Sequence, residues 1–222
     1  GLFNNGVVFT DNNLNIKKHI NDEKGLQNNN IRALLADEAG NIWTGLNNGI
    51  SVIYANSPYT VYEELYGLKS TTLTSLLYNG SLYIGNASGV FYTDWQGRDP
   101  MQKTAFKKVK GLGAFQVWYL DSIDGKLFGA GSSGIFTINE KNHTARFIIE
   151  DESTKSFIRL KYRPDIILGI GGNGLAKIRR NTEGKWGNYK KIKGFNRDFR
   201  NIKQTGRNEF WVSDRSKGLI KL

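Results

Sequence analysis

Residues 28–53 read NNNIRALLADEAGNIWTGLNNGISVI. Apolar residues alternate over 31–36, a turn falls at 37–40, alternation resumes over 42–45, a second turn falls at 47–49, and a third alternating run covers 50–54. A period of two is the pattern of strands that bury one face, so the stretch is predicted to be a β-meander. The phrase recurs. GNIWTGLNNGI at 40–50 is matched by GSLYIGNASGV at 80–90 and GKLFGAGSSGI at 125–135, then more loosely by DIILGIGGNGL at 165–175 and EFWVSDRSKGL at 209–219. A truncated copy, GLFNNGV, stands at 1–7. The last glycine of each copy lies at 6, 49, 89, 134, 174 and 218, in steps of 43, 40, 45, 40 and 44.

A period near 40–45 residues with four short strands per unit is the signature of a β-propeller blade. Each unit supplies the rest of the blade. An alternating strand precedes the motif at 31–35, 73–77, 117–120, 158–162 and 199–203, and two more strands follow it, as at 49–54 and 59–65. One blade cannot bury both its faces, so neighbours must cover each other, with Trp43, Tyr83, Phe128 and Trp211 expected between them. The turn glycines at 49, 89, 134, 174 and 218 are assigned to backbone conformations of positive φ. The predicted fold is therefore all-β, a propeller of four-stranded antiparallel blades. About five repeats are present, expected to be part of a larger, seven-bladed ring: 1–24 (partial), 25–66, 67–110, 111–151, 152–193 and 194–222 (partial).

The composite unit at 25–50, with Gly25-Leu26, Ile31, Leu34, Asp37, Gly40, Ile42-Trp43, Gly45 and Gly49-Ile50, resembles the two-component regulator propeller repeat. The Gly-Leu that opens each repeat recurs at 67–68 and 111–112, and as Gly-Phe at 194–195. Units four and five depart from the pattern, with Leu168 in the aromatic slot and Asp165 and Glu209 in the first glycine slot. The resemblance implies the periplasmic sensor region of a Bacteroidetes-type hybrid two-component system, coupled through further domains to a histidine kinase. It implies a non-enzymatic segment without cofactor, whose partners are an oligosaccharide ligand and the adjoining domains of the parent sensor, with a homodimer left open. A surface or secretion-associated scaffold, and thirdly a propeller lyase, are the competing readings.

Composition excludes several classes. The 222 residues are 39% hydrophobic, enough for a real core, and hold no cysteine, 3 prolines and 26 glycines, which excludes a disulfide scaffold and a collagen-like chain. No apolar run reaches membrane-spanning length. The net charge of +11, from 31 Lys and Arg against 20 Asp and Glu, would suit nucleic acid. The doublets Lys17-Lys18, Lys107-Lys108 and Lys190-Lys191, however, all fall in the fourth strand of a unit, where lysine discourages pairing between exposed sheet edges. No nucleic-acid partner is expected.

GIGGNG at 169–174 spells a dinucleotide fingerprint, but its glycines are the turn glycines of the repeat. Asp37 belongs to a turn. His19 and His143 have no nucleophile and acid at a recognisable spacing, and neither a catalytic nor a metal site is assigned. Asp121 and Asp124 flank one turn and could hold a weak calcium ion, though turn chemistry explains them as well. In a propeller, the loops joining second to third strands gather on one face with the inter-blade linkers. They place Asn47, Asn48, Asn86, Ser132, Ser133, Asn173, Arg215 and Lys217 as candidate ligand-binding residues, beside the linkers 27–30, 69–72, 113–116 and 196–200. Amides, hydroxyls and arginines suit a neutral or acidic sugar. Trp95 and Trp118 are candidates for stacking on it, with core packing the competing role for Trp118.

Overall fold

The computed structural model describes residues 1–2, 4–57, 67–95, 105–150 and 152–222, so the strand predicted at 59–65 lies outside the described residues. The described chain is all-β, interrupted by one 3-10 turn at Asp22–Lys24, and it forms two compact units.

The first unit holds β1 (Val7–Thr10) paired antiparallel with β2 (Ile16–Ile20), and a sheet of β3 (Ile31–Ala36), β4 (Ile42–Leu46) and β5 (Gly49–Ile53) in that order. Val7, Ile20, Leu26 and Ile53 form its core. Asp37 holds the β3–β4 turn: its carboxylate accepts from Asn41 N at 2.8 Å, Asn41 Nδ2 at 2.9 Å and Trp43 Nε1 at 3.0 Å. These bonds favour the ionised form, Asn41 first and Trp43 next, and hold the Asp37 pKa below its usual value.

The second unit carries three four-stranded sheets and one of three strands, each an antiparallel meander in chain order. They are β6 (Thr72–Tyr78), β7 (Ser81–Asn86), β8 (Gly89–Asp94) and β9 (Lys107–Lys108); β10 (Val117–Ile123), β11 (Lys126–Gly131), β12 (Gly134–Asn139) and β13 (Thr144–Glu150); β14 (Ser156–Arg159), β15 (Ile166–Gly171), β16 (Gly174–Arg180) and β17 (Trp186–Lys191); and β18 (Phe199–Gly206), β19 (Glu209–Asp214) and β20 (Gly218–Lys221). These are propeller blades.

Their second strands show why the repeat is needed. Along β15 every residue is buried, with Ile166, Leu168 and Ile170 packed among Phe199, Ile202 and Val212, while Ile167 turns the other way to join Phe128, Ile135 and Phe157. Successive side chains of a strand point to opposite faces, so β15 is sandwiched between two neighbouring sheets. β11 repeats the arrangement, with Leu127 on the face shared with Tyr83 and Val117, and Phe128 and Ala130 on the other.

Two expectations need adjusting. Tyr83 and Phe128 are buried, but Trp43 remains 43% exposed, lying over the turn whose Asp37 accepts its N–H. The strand predicted at 158–162 is β14, two residues earlier at its start and closed at Arg159. Past that point Arg159 Nε is drawn to Pro164 O at 2.9 Å, leaving Leu160 N on Ile166 O at 3.0 Å as the last link of the ladder. GIGGNG spans β15, a tight turn and β16, so no helix follows it. The lysine doublets lie exposed on β2, β9 and β17, each the outer strand of its sheet.

His143, in the β12–β13 turn, reaches the preceding blade. Its ring stacks on Tyr92 at a centroid distance of 3.5 Å, and its Nδ1 lies 3.2 Å from Tyr83 Oη. Burial first, and then the charge of Lys107, push the His143 pKa below 6.5, against a smaller opposing pull from Glu140. Because the folded value is depressed, the unfolded chain binds more protons between that value and 6.5. Stability is therefore lost as pH falls below 6.5 through the folded value. Urea midpoints at pH 7.5 and 5 are expected to fall with acidification in the unaltered chain and to fall less in His143→Phe, which keeps the stack without the proton. An equal fall in both would show that His143 contributes nothing to acid sensitivity.

Candidate functional site

In each four-stranded sheet of the second unit the turns joining first to second and third to fourth strands lie at one end. The turns joining second to third strands lie at the other, with the linkers between sheets. At this second end the structure assembles one polar cluster. Trp118 on β10 donates from Nε1 to Gln116 Oε1 at 3.2 Å. The Nζ of Lys155 sits over the Trp118 ring, 3.6 Å from its centroid, a cation–π contact. The linker just before β14 places that lysine, its N–H fixed on Ile170 O at 2.7 Å.

Asp198 follows in the linker before β18. Its Oδ2 faces Arg200 Nη2 at 3.4 Å and Arg215 Nη1 at 3.7 Å, and its backbone oxygen accepts from Arg215 N at 3.0 Å. Its other carboxylate oxygen, Oδ1, is buried and has no hydrogen-bond partner among the described residues. Beyond it Asp214, 7% exposed, closes the β19–β20 turn by accepting from the N–H of Ser216 at 2.8 Å and of Lys217 at 2.9 Å. Arg197 Nη1 lies 3.7 Å from Asp214 Oδ2. The Ser216 N–H, and then the Lys217 N–H against the cost of burial, keep the Asp214 pKa low.

Four cations, Lys155, Arg197, Arg200 and Arg215, thus surround two carboxylates. Lys155 registers the surplus: burial, and then the charge of Arg200, lower its pKa from 10.5, with Asp198 opposing and Arg215 adding to the fall. Arriving negative charge would relieve that repulsion. The Trp118 ring, under Lys155, adds an aromatic surface to the cluster.

The predicted residues distribute unevenly around this cluster. Arg215 is part of it. Ser132 is tied to it, its Oγ accepting from Gln116 N at 3.3 Å and its N–H donating to Gln116 O at 2.9 Å. Ser133, Asn173 and Lys217 occupy turns at the same strand end, Asn173 and Lys217 exposed. Asn86 is fully buried, and its Oδ1 closes its own turn by accepting from Ser88 N at 2.8 Å and Ser88 Oγ at 3.0 Å. Asn47 and Asn48 stand exposed on the β4–β5 turn of the first unit, where Asn47 Oδ1 accepts from Arg32 Nε. Trp95 belongs to the first unit and is half-buried. Asp198 lies in the linker 196–200 that the sequence marks, but Lys155 carries no such mark, because the fourth repeat lacks the Gly-Leu that announces its linker at 152–155.

The remaining candidates resolve simply. Asp124 is held by Arg159 and Arg180, one on each carboxylate oxygen, and Asp121 Oδ1 accepts from Ser122 N at 2.7 Å. Asp124 therefore ties its turn to the next sheet, and Asp121 bonds within β10. Among the described residues no group of three His, Cys, Asp or Glu is placed to hold a metal ion.

Comparison with known families bears on the first unit directly. The two component regulator propeller family matches residues 25–48. This segment is similar to one repeat of that family. The regulator-propeller repeat runs through β3 and β4 to the β4–β5 turn. Among solved structures, the chain is similar to the extracellular domain of a protein described as a hybrid two component system, BT4673 from B. thetaiotaomicron, with a TM-score of 0.61 at 15% identity over 99% of this chain and 34% of that one. The extracellular domain of BT3049 from the same organism, similarly described, gives 0.54 at 17% identity over 89% of this chain and 28% of that one. No curated protein matches the sequence. The chain spans about a third of the length of these two structures, and at such identities they share its fold.

Proposed function

We propose that the chain is part of the extracytoplasmic, periplasmic sensor region of a hybrid two-component regulator. It recognises a glycan-derived ligand bearing acidic groups, without chemistry of its own, and passes the binding event through adjoining domains to a histidine kinase. The observation that carries the ligand class is the surplus of cations, Lys155, Arg200 and Arg215, around Asp198, with the Trp118 ring under Lys155. A uronate or sulfate group meets the cations, and the apolar face of a pyranose suits the indole. The regulator-propeller repeat at 25–48 supports the sensor context.

Thermal unfolding of the chain with matched acidic and neutral oligosaccharides tests this. A ligand at 100 times its Kd adds about 2.7 kcal/mol of stability, so the acidic series is expected to raise Tm by several degrees. The shift is expected to shrink in Arg200→Ala/Arg215→Ala and to fall as salt is raised. Equal shifts with neutral sugars, or a shift untouched by the double change, would refute the assignment.

A further inference from the structure

A second cleft lies at the opposite strand end, formed where the β10–β13 and β14–β17 sheets adjoin, with a volume of about 880 Å³. Phe128, fully buried, lies at its base, and Trp186 of β17 contributes aromatic surface. The Trp186 ring is fixed from two sides, edge-on to Phe128 at 6.2 Å and beneath the Arg180 guanidinium at 4.6 Å. An aromatic wall is thus already in place before anything binds.

The rim is cationic. Lys126 at the start of β11, Lys141 from the β12–β13 turn, Arg146 of β13 and Lys185 from the β16–β17 turn line it. Its one acid, Glu140, accepts from Asn79 Nδ2 at 2.7 Å. Lys185 pairs with Glu183 at 3.0 Å, while Lys126, Lys141 and Arg146 have no carboxylate partner among the described residues. Three uncompensated cations from three successive segments therefore project around one aromatic-walled cleft, whose volume falls within the ordinary range for small-molecule sites of about 300–1,000 Å³.

We infer that this cleft is a second ligand site, binding a short acidic oligosaccharide through Lys126, Lys141 and Arg146 with Trp186 against a sugar face. It is separate from the Asp198 cluster and does not depend on it. Carboxylates or sulfates spaced along a saccharide match cations spread over two strands and a turn, and a pyranose ring matches the Trp186 surface. Neither a neutral sugar nor a lone inorganic anion would use both features.

Calorimetric titration with a galacturonic acid tetramer tests the site in the Arg200→Ala/Arg215→Ala chain, so that the two sites can fail separately. Binding is expected to persist in that background and to weaken by about tenfold or more on adding Lys126→Glu and Arg146→Glu, exposed changes of charge. A neutral galactose tetramer is expected to give no heat of binding. Four results would overturn the inference: no binding of the acidic tetramer up to millimolar concentration, equal binding of the neutral one, binding indifferent to the two charge reversals, or tighter binding of an octaglutamate peptide. The last would assign the cleft to a protein segment. Circular dichroism of the charge-reversed chain, expected to be unchanged, separates loss of the site from loss of the fold.

Discussion

Truncating Phe128 to alanine is expected to lower the folding stability of the chain by about 3–5 kcal/mol, measured by urea denaturation. The ring is fully buried and occupies the seam between two blades, with Phe157 at 6.2 Å and Trp186 edge-on at the same distance. Its neighbours Ala130, Ile135 and Ile167 are fixed on paired strands and cannot collapse far into the space left. The cost is therefore the lost transfer energy of the ring plus that of a cavity. Phe128→Leu, which keeps most of the volume, is expected to cost about half as much. Trp43 fills the same slot in the earlier repeat but is 43% exposed, so Trp43→Ala is expected to cost less than Phe128→Ala despite removing a larger side chain. A Phe128→Ala loss of under about 1 kcal/mol would mean that these blades do not bury one another through the motif aromatic.

Gly174→Ala is expected to destabilise by about 3 kcal/mol or more, with Gly184→Ala as its control. Both glycines have positive φ, +94° and +76°. A Cβ at 174 would fall 1.7 Å from the carbonyl oxygen of Phe195, whereas at 184 it would meet nothing within 4 Å. The control therefore carries the cost of the left-handed backbone alone, about 1 kcal/mol, while position 174 adds a collision with main chain that cannot swing aside. The difference between the two isolates how closely the linker before β18 is laid on the β15–β16 turn. Equal losses would contradict that packing.

Gly174 also shows what the sequence discloses. A glycine returning every 40–45 residues is visible because the turn conformation forbids most alternatives, and the alternating runs are visible because each blade has two faces to bury. The strand before the motif in the fourth repeat is displaced because Arg159 and Pro164 close it early, an interaction between residues five apart that alternation does not register. Trp43 was expected between blades by analogy with Tyr83 and Phe128. A motif aromatic, though, can also satisfy its N–H on the turn aspartate, as Trp43 does with Asp37, and periodicity does not distinguish the two.

The site was less legible. Loop position alone selected Arg215 and Ser132, which belong to the cluster, together with Asn86, which its own turn consumes. What sets Lys155 and Asp198 apart is spatial: a lysine stacked on an indole, crowded by Arg200 and Arg215 from the next sheet, and a carboxylate with one oxygen left over. None of these relations has a sequence spacing of its own.

The most direct measurement is the pKa of Lys155, followed by NMR in selectively labelled protein with and without a saturating acidic oligosaccharide. In the free chain it is predicted to lie below the usual 10.5, for burial and Arg200 disfavour the charged amine. The bound anion is predicted to raise it, so that binding takes up protons above the free-site value. A Lys155 pKa that stays fixed while the oligosaccharide saturates the chain would contradict the assignment of this cluster as the sensing site.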